Sequence, residues 1–370
     1  MIYYLIANGG ITIVYLLIIL SFIKGWGKMP VYQKGSSIPS DIFLSLIIAL
    51  RNEEQNIQNL INSLLSQSLD KSKFEIILVD DHSTDKTYQL CNILIRNFPH
   101  IKIFKLTIKS GKKQALSFGI KNSKGQLIVT TDADCIHHKE WLETIYEFYL
   151  EFKPQMISGP VIMSAKSFFE KIQAIDFFSL IVSGAGAIGI HRPIMCNGAN
   201  LAFEKESFEA FANPYNEHII SGEDIFLLLN IKKAYPHKIL FIKSKEATVY
   251  TKAEHTFKQF LNQRKRWASK SKAYKDKDII ITAVIVLFIN ILILANLLTS
   301  LILSQFIIVF LVQFLLKSIV DFIFLARTNQ FFKYKKLLWY FIPAQLFNIL
   351  ILPFIAIVGI MGSVKWKGRI

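Results

Sequence analysis

The chain's 370 residues are enough for two average domains, or for one domain with a membrane portion. Hydrophobic residues make up 52% and charged residues only 19%, which excludes a disordered chain, a collagen-like fibre and a small disulfide scaffold. The formal charge of +16, from 43 Lys and Arg against 27 Asp and Glu, reads in so apolar a chain as an anionic membrane face rather than a nucleic-acid footprint.

In chain order, residues 2–23 carry no charge, a 22-residue run that can cross a hydrocarbon core of roughly 30 Å. Lys24, Lys28 and Lys34 follow this run and nothing basic precedes it, the reverse of a cleavable signal peptide. Residues 1–24 therefore read as an uncleaved anchor whose C-terminal end is cytoplasmic. Residues 40–275 are soluble in character, with strand-like runs at 43–50, 75–79, 101–106 and 126–131. Amphipathic helical segments at 53–66, 85–97 and 112–122 alternate with them. Short strands that are apolar throughout, separated by helices, predict an α/β domain whose mostly parallel sheet is covered on both faces. Residues 168–190 read equally as an interfacial segment or a buried helix. Residues 256–273 mix Phe257, Phe260, Leu261 and Trp267 with Lys258, Arg264, Lys265, Lys270 and Lys272, the pattern of a basic amphipathic helix at a membrane surface.

A second uncharged run, 279–316, is too long for one span and predicts a transmembrane hairpin over 279–325, turning near 299–305. Lys317 and Asp321, four apart, are expected to satisfy each other inside the membrane. A last apolar run, 337–361, is interrupted by Pro343 and Pro353 and precedes a basic tail at 365–369. One crossing would place that tail outside, against the charge bias, so the run reads either as a re-entrant pair of half-helices or as an exception.

Ligands of open α/β sheets sit beyond the carboxyl ends of the strands, and two strands here end in paired acids. Ile76-Ile77-Leu78-Val79 runs into Asp80-Asp81-His82-Ser83-Thr84-Asp85, and Leu127-Ile128-Val129-Thr130-Thr131 into Asp132-Ala133-Asp134. In an extended Asp-x-Asp both carboxylates can face one hard cation, and Mg²⁺ or Mn²⁺ prefers such oxygens while leaving room for phosphate. His82, His137 and His138 lack metal-ligand spacing and read as polar loop residues. Three scattered cysteines without a CxxC pair speak against zinc and disulfides, and no phosphate-binding Gly-rich loop supports nucleotide hydrolysis or dinucleotide redox.

Seven ordered motifs over about residues 43–270 resemble those of the inverting nucleotide-sugar glycosyltransferases of family 2, which include cellulose and poly-N-acetylglucosamine synthases. Ala49-Leu50-Arg51-Asn52-Glu53-Glu54 is similar to the opening nucleotide-binding segment, and Asp80-Asp81 to the motif contacting the base. Asp132-Ala133-Asp134 is similar to the metal motif, and Gly111-Lys112 falls where the family has a Gly-Lys segment. Asn197-Gly198-Ala199-Asn200 resembles the acceptor-facing loop, Ser221-Gly222-Glu223-Asp224 the motif of the catalytic base, and Gln263-Arg264-Lys265-Arg266-Trp267 the Gln-x-x-Arg-Trp signature.

The resemblance implies a GT-A fold, a Rossmann-like mixed sheet with helices on both faces, plus transmembrane helices. It implies a nucleotide-diphosphate sugar as donor and a lipid, glycan or polysaccharide as acceptor, at an integral membrane protein with a cytoplasmic catalytic domain. Asp224 would be the base; Arg51, Glu53, Asp80, Asp81, Lys112, Asp132, Gln263 and Arg266 would bind donor. Gly198, Glu223 and Trp267 would face acceptor, with Asp132 and Asp134 on Mg²⁺ or Mn²⁺. Taken alone, Glu223 and Asp224 read equally as acids in a helix's first turn. A processive polysaccharide synthase, a membrane conduit and a catalytically silent scaffold remain as alternatives.

Overall fold

The computed structural model describes residues 2–35, 39–107, 110–219, 221–334 and 336–361; the basic tail at 365–369 lies outside them. Helix α1 spans Ile2–Lys28. An alternating series follows: β1 (Leu44–Leu50), α2 (Ile57–Leu65), β2 (Phe74–Asp80), α3 (Thr87–Ile95), β3 (Ile101–Lys105), α4 (Lys112–Lys121) and β4 (Leu127–Thr130). Then come β5 (Ile136–His137), α5 (Trp141–Phe152), β6 (Met156–Ser158), β7 (Val161–Ser164) and α6 (Phe168–Gly189). The chain continues with β8 (Leu201–Glu204), α7 (Lys205–Glu209), α8 (Glu223–Ala234), β9 (Ile239–Phe241) and β10 (Val249–Lys252). Four helices close the series: α9 (Phe257–Ser269), α10 (Lys277–Ser300), α11 (Phe306–Phe332) and α12 (Phe341–Met361).

The described chain divides into two compact units. One, residues 29–163 and 195–252, holds a seven-stranded sheet ordered β3-β2-β1-β4-β8-β6-β9. Strands β3, β2, β1 and β4 run parallel, and β8 pairs antiparallel with β4 and β6, so the sheet is mixed and mostly parallel as expected. Strands β1, β2 and β4 are buried almost throughout, which is why they read as continuous apolar runs without alternation. A small sheet ordered β5-β10-β7 brings Thr251 of β10 into the same unit as Asp134.

The other unit comprises residues 1–28, 164–194 and 253–370, so segments 164–194 and 253–275 part from the 40–275 domain drawn from sequence. The physical reason is packing. Helix α6 crosses α1 at glycines: a Cβ on Gly186 would sit 2.5 Å from the Phe22 carbonyl oxygen. Phe260 of α9 buries its ring against Ile351 and Ile355 of α12, so this face of α9 meets protein and not lipid. Among the described residues five helices are long and apolar enough to cross a membrane: α1, α6, α10, α11 and the segment Leu337–Val358, with α6 the most buried.

Helix α12 is continuous through Pro353, so of the two readings of this run the pair of half-helices is not the one seen among the described residues. Pro343 lies in its first turn, where a missing N–H costs nothing. The turn of the α10–α11 hairpin falls at 301–305, within the expected stretch. Lys317 and Asp321 pair at 2.8 Å, joined by Gln345 and by the Tyr15 hydroxyl, which donates to Asp321 at 2.6 Å.

Candidate active site

Strand ends build the site. Asp80 closes β2 and is buried; its Oδ2 accepts from the Ser83 amide at 3.4 Å, while Oδ1 has no hydrogen-bond partner among the described residues. A buried acceptor left open is costly unless a ligand supplies the donor. Asp81 turns the other way, and its Oδ1 accepts from the Gly111 amide at 3.2 Å. Arg51, just past β1, donates through Nη1 to the Asp81 carbonyl and to Ser110. Glu53 receives Asn56 Nδ2 at 2.7 Å, and its amide donates to Thr87. Arg51, Asp80 and Asp81 thus gather at the ends of adjacent parallel strands.

Past β4 the backbone departs from expectation. Asp132-Ala133-Asp134 is not extended: the Cys135 amide donates to the Asp132 carbonyl at 3.2 Å and closes a turn. The two carboxylates still act on each other. Burial pushes Asp134 up to about 6, helped by the charges of Asp132 and Glu53 and opposed by a hydrogen bond from the Thr251 hydroxyl. Among the described residues no three His, Cys, Asp or Glu side chains are arranged to hold a metal ion. Asp132 and Asp134 nevertheless offer the hard oxygen donors that Mg²⁺ or Mn²⁺ takes when phosphates complete its shell, so the residues fit the ion.

Asp132 is already engaged. Lys112, the first residue of α4, places its ammonium 2.7 Å from Asp132 Oδ1 and 2.6 Å from Glu223 Oε1. Burial works against that charge, but Asp132 and Glu223 outweigh it and hold the ammonium well above its ordinary range. Glu223 and Asp224 open α8 behind Gly222, whose φ of 89° puts the turn where a side chain would be strained. Asp224 Oδ2 accepts from the Gly198 amide at 3.3 Å and Oδ1 from its neighbour's amide, Ile225, at 2.8 Å. The helix-start reading therefore holds for Asp224, whose carboxylate also reaches Gly198 of the pocket.

A pocket lined by Lys112, Thr130, Thr131, Gly198, Tyr215, Glu223 and Asp224 brings the ammonium and the two acids of α8 together. A Cβ at Gly198 would lie 3.6 Å from Asp224 Cβ, 3.8 Å from Glu223 Oε1 and 3.9 Å from Lys112 Nζ, so Gly198 borders all three. Sequence reasoning missed three supports. Lys113 is buried and donates to the Tyr215 and Asn216 carbonyls, pinning the loop before α8. Asn200 ties Trp141, Pro160 and Ala247 together through its amide. Thr251 holds Asp134. Only pairing between distant segments reveals these roles.

Gln263, Arg266 and Trp267 lie on α9, in the other unit. Gln263 donates to Glu254 at 3.0 Å while its Oε1 has no partner. Trp267 faces Phe177 and the Arg264 guanidinium, whose carbon is 4.4 Å from the ring centre, and Arg264 pairs with Asp176.

With this geometry in view, the comparisons are specific. Residues 45–211 match the family described as glycosyl transferase family 2. Glycosyltransferase AglE of Haloferax volcanii is 27% identical over 183 residues, 50% of this chain and 59% of its own. Poly-beta-1,6-N-acetyl-D-glucosamine synthase of Staphylococcus epidermidis is 29% identical over 145 residues, 37% of this chain and 33% of its own. The matched stretch thus spans about half or less of these curated relatives. A mannosyltransferase from Pyrobaculum calidifontis, solved in complex with GDP-Man and Mn²⁺, shares the fold at TM-score 0.57 and 16% identity, over 94% of this chain and 97% of that one. The fold is of the GT-A type, and the stretch 45–211 is similar to glycosyl transferase family 2.

Proposed function

We propose that the protein is a membrane-embedded, inverting glycosyltransferase that moves one or a few sugars from a nucleotide-diphosphate donor to a lipid-borne acceptor. The observation that carries this is the Lys112 ammonium, which bridges Asp132 at the end of β4 to Glu223, beside a carboxylate oriented by a backbone amide (Asp224). The Mn²⁺ and GDP-Man of the Pyrobaculum structure support the same kind of donor here. Five candidate spans support a membrane location, and Lys24 and Lys28 at the end of α1 support a cytoplasmic catalytic unit.

In this mechanism the open Oδ1 of Asp80 takes an N–H of the nucleobase, and Arg51 braces the loop beneath it. Asp132 and Asp134 would hold Mg²⁺ or Mn²⁺, which supplies positive charge to the departing diphosphate. Lys112 adds a second positive charge at the same edge. Asp224 removes the proton from the attacking hydroxyl, which reaches the sugar from the face opposite the leaving group and inverts the anomeric carbon. Gly198 leaves room for the acceptor sugar, Glu223 borders it, and Gln263, Arg266 and Trp267 of α9 serve diphosphate and acceptor.

The test is Asp224→Asn, which keeps shape but cannot take a proton. Turnover falls by about 10²–10⁴-fold while donor binding persists. Near-normal turnover would move the base elsewhere. In parallel, Asp134→Ala abolishes metal-dependent donor binding in a folded protein, and undiminished donor affinity in chelator would remove the metal from this reading.

A further inference from the structure

The charged atom of Lys112 touches both halves of the site. Its ammonium contacts Asp132 at 2.7 Å on the metal side and Glu223 at 2.6 Å on the acceptor side. The lysine side chain is only 20% exposed and Glu223 11%, so water screens the bridge weakly. Around it stand more acids than one ammonium can neutralise, since Asp132 and Glu53 both bear on Asp134. Without Lys112 these carboxylates would repel one another in the metal-free protein.

We propose that Lys112 is a resident counter-ion that a divalent cation must displace from Asp132, so that the ammonium passes to Glu223 when the donor side of the site is loaded. The inference rests on Asp132 and Asp134 being the metal ligands, as proposed above. A dication and an ammonium sharing one carboxylate repel each other strongly at contact range, so each weakens the other's hold. Competition of this kind keeps metal affinity low until phosphates add their own negative charge. It also links the two sides: Glu223 gains the whole ammonium only after Asp132 has given it up, which orders the acceptor edge after the donor edge.

The experiment measures Mn²⁺ binding to the full-length, detergent-purified protein without nucleotide, from the free-Mn²⁺ electron paramagnetic resonance signal. Lys112→Met removes the competing charge and binds Mn²⁺ about tenfold more tightly than the unmodified protein. Lys112→Arg keeps the charge and binds Mn²⁺ as the unmodified protein does. Thermal unfolding supplies a second readout: Lys112→Met unfolds at a lower temperature without metal and gains more from added Mn²⁺. If Lys112→Met fails to fold, the neutral Lys112→Gln answers the same question. Unchanged or weaker Mn²⁺ affinity in the neutral variants overturns the inference. If Mn²⁺ binding is present and lost in Asp134→Ala but indifferent to Lys112, only this inference falls. If no variant binds Mn²⁺ even with a nucleoside diphosphate present, the metal assignment falls with it.

Discussion

His137 is a residue whose environment reverses its sequence reading. It was expected in a polar loop with His82 and His138, and those two side chains are indeed 42% and 47% exposed. His137 is instead buried in β5, held between the Ser63 and Thr131 hydroxyls at 3.1 and 2.8 Å and stacked on Trp141. Burial lowers it from 6.5 to about 3. Below pH 6.5 the unfolded chain binds a proton that the native site refuses, so stability is present above 6.5 and is lost as the pH falls towards 3. Thermal unfolding of the full chain should therefore drop between pH 7.5 and pH 5, and His137→Gln, which can keep both hydroxyl contacts, should shrink that drop. An equal drop in the variant would place the acid sensitivity elsewhere. The strand-end acids were legible because an apolar run stopping at Asp80 or Asp132 shows in sequence. The turn at Asp132-Ala133-Asp134 was not, since it is set by one backbone hydrogen bond from Cys135.

At the scale of elements, local pattern specified the first four strands and three helices to within a few residues, because β1, β2 and β4 are buried on both faces and each helix is bounded by polar turns. What it could not specify is which helix faces meet. Six glycines show the difference. Gly9, Gly10 and Gly27 of α1 have open space where a Cβ would go, while Gly25 of α1 and Gly186 and Gly189 of α6 press against the opposing backbone. In sequence nothing separates them: Gly25 and Gly27 stand two apart between Lys24 and Lys28, and only the first is pressed. Gly186→Leu should push α6 off the Phe22 carbonyl and cost several kcal/mol, on the order of an overpacked core. Gly10→Ala should be neutral or slightly stabilising, as helical Gly→Ala usually is. Comparing the unfolding temperatures of the two variants checks the crossing, and an equally mild effect from both would contradict it.

For the whole molecule the sharpest question is what leaves the enzyme, a short glycolipid or a long polymer. Sugar hydroxyls stripped of water need hydrogen-bonding partners, so a conduit for a polysaccharide must offer polar side chains along its length. In the helical unit two groups of polar side chains bond to one another. Asn296 bonds Tyr4, Asn8 and Gln313, and Gln313 reaches Thr12, closing one network among α1, α10 and α11. Lys317, Asp321, Gln345 and Tyr15 close a second. Such networks fix helix against helix and leave little to solvate a moving chain. Full-length protein in lipid vesicles, given nucleotide sugar and a lipid acceptor, should therefore yield products extended by one or a few sugars. Trp267→Ala should slow acceptor use, by about tenfold if stacking is worth 1–1.5 kcal/mol, and leave donor hydrolysis intact. Sizing the products by mass decides the outcome: a ladder running to long homopolymer would overturn the single-transfer reading and turn these networks into gates that open for the chain.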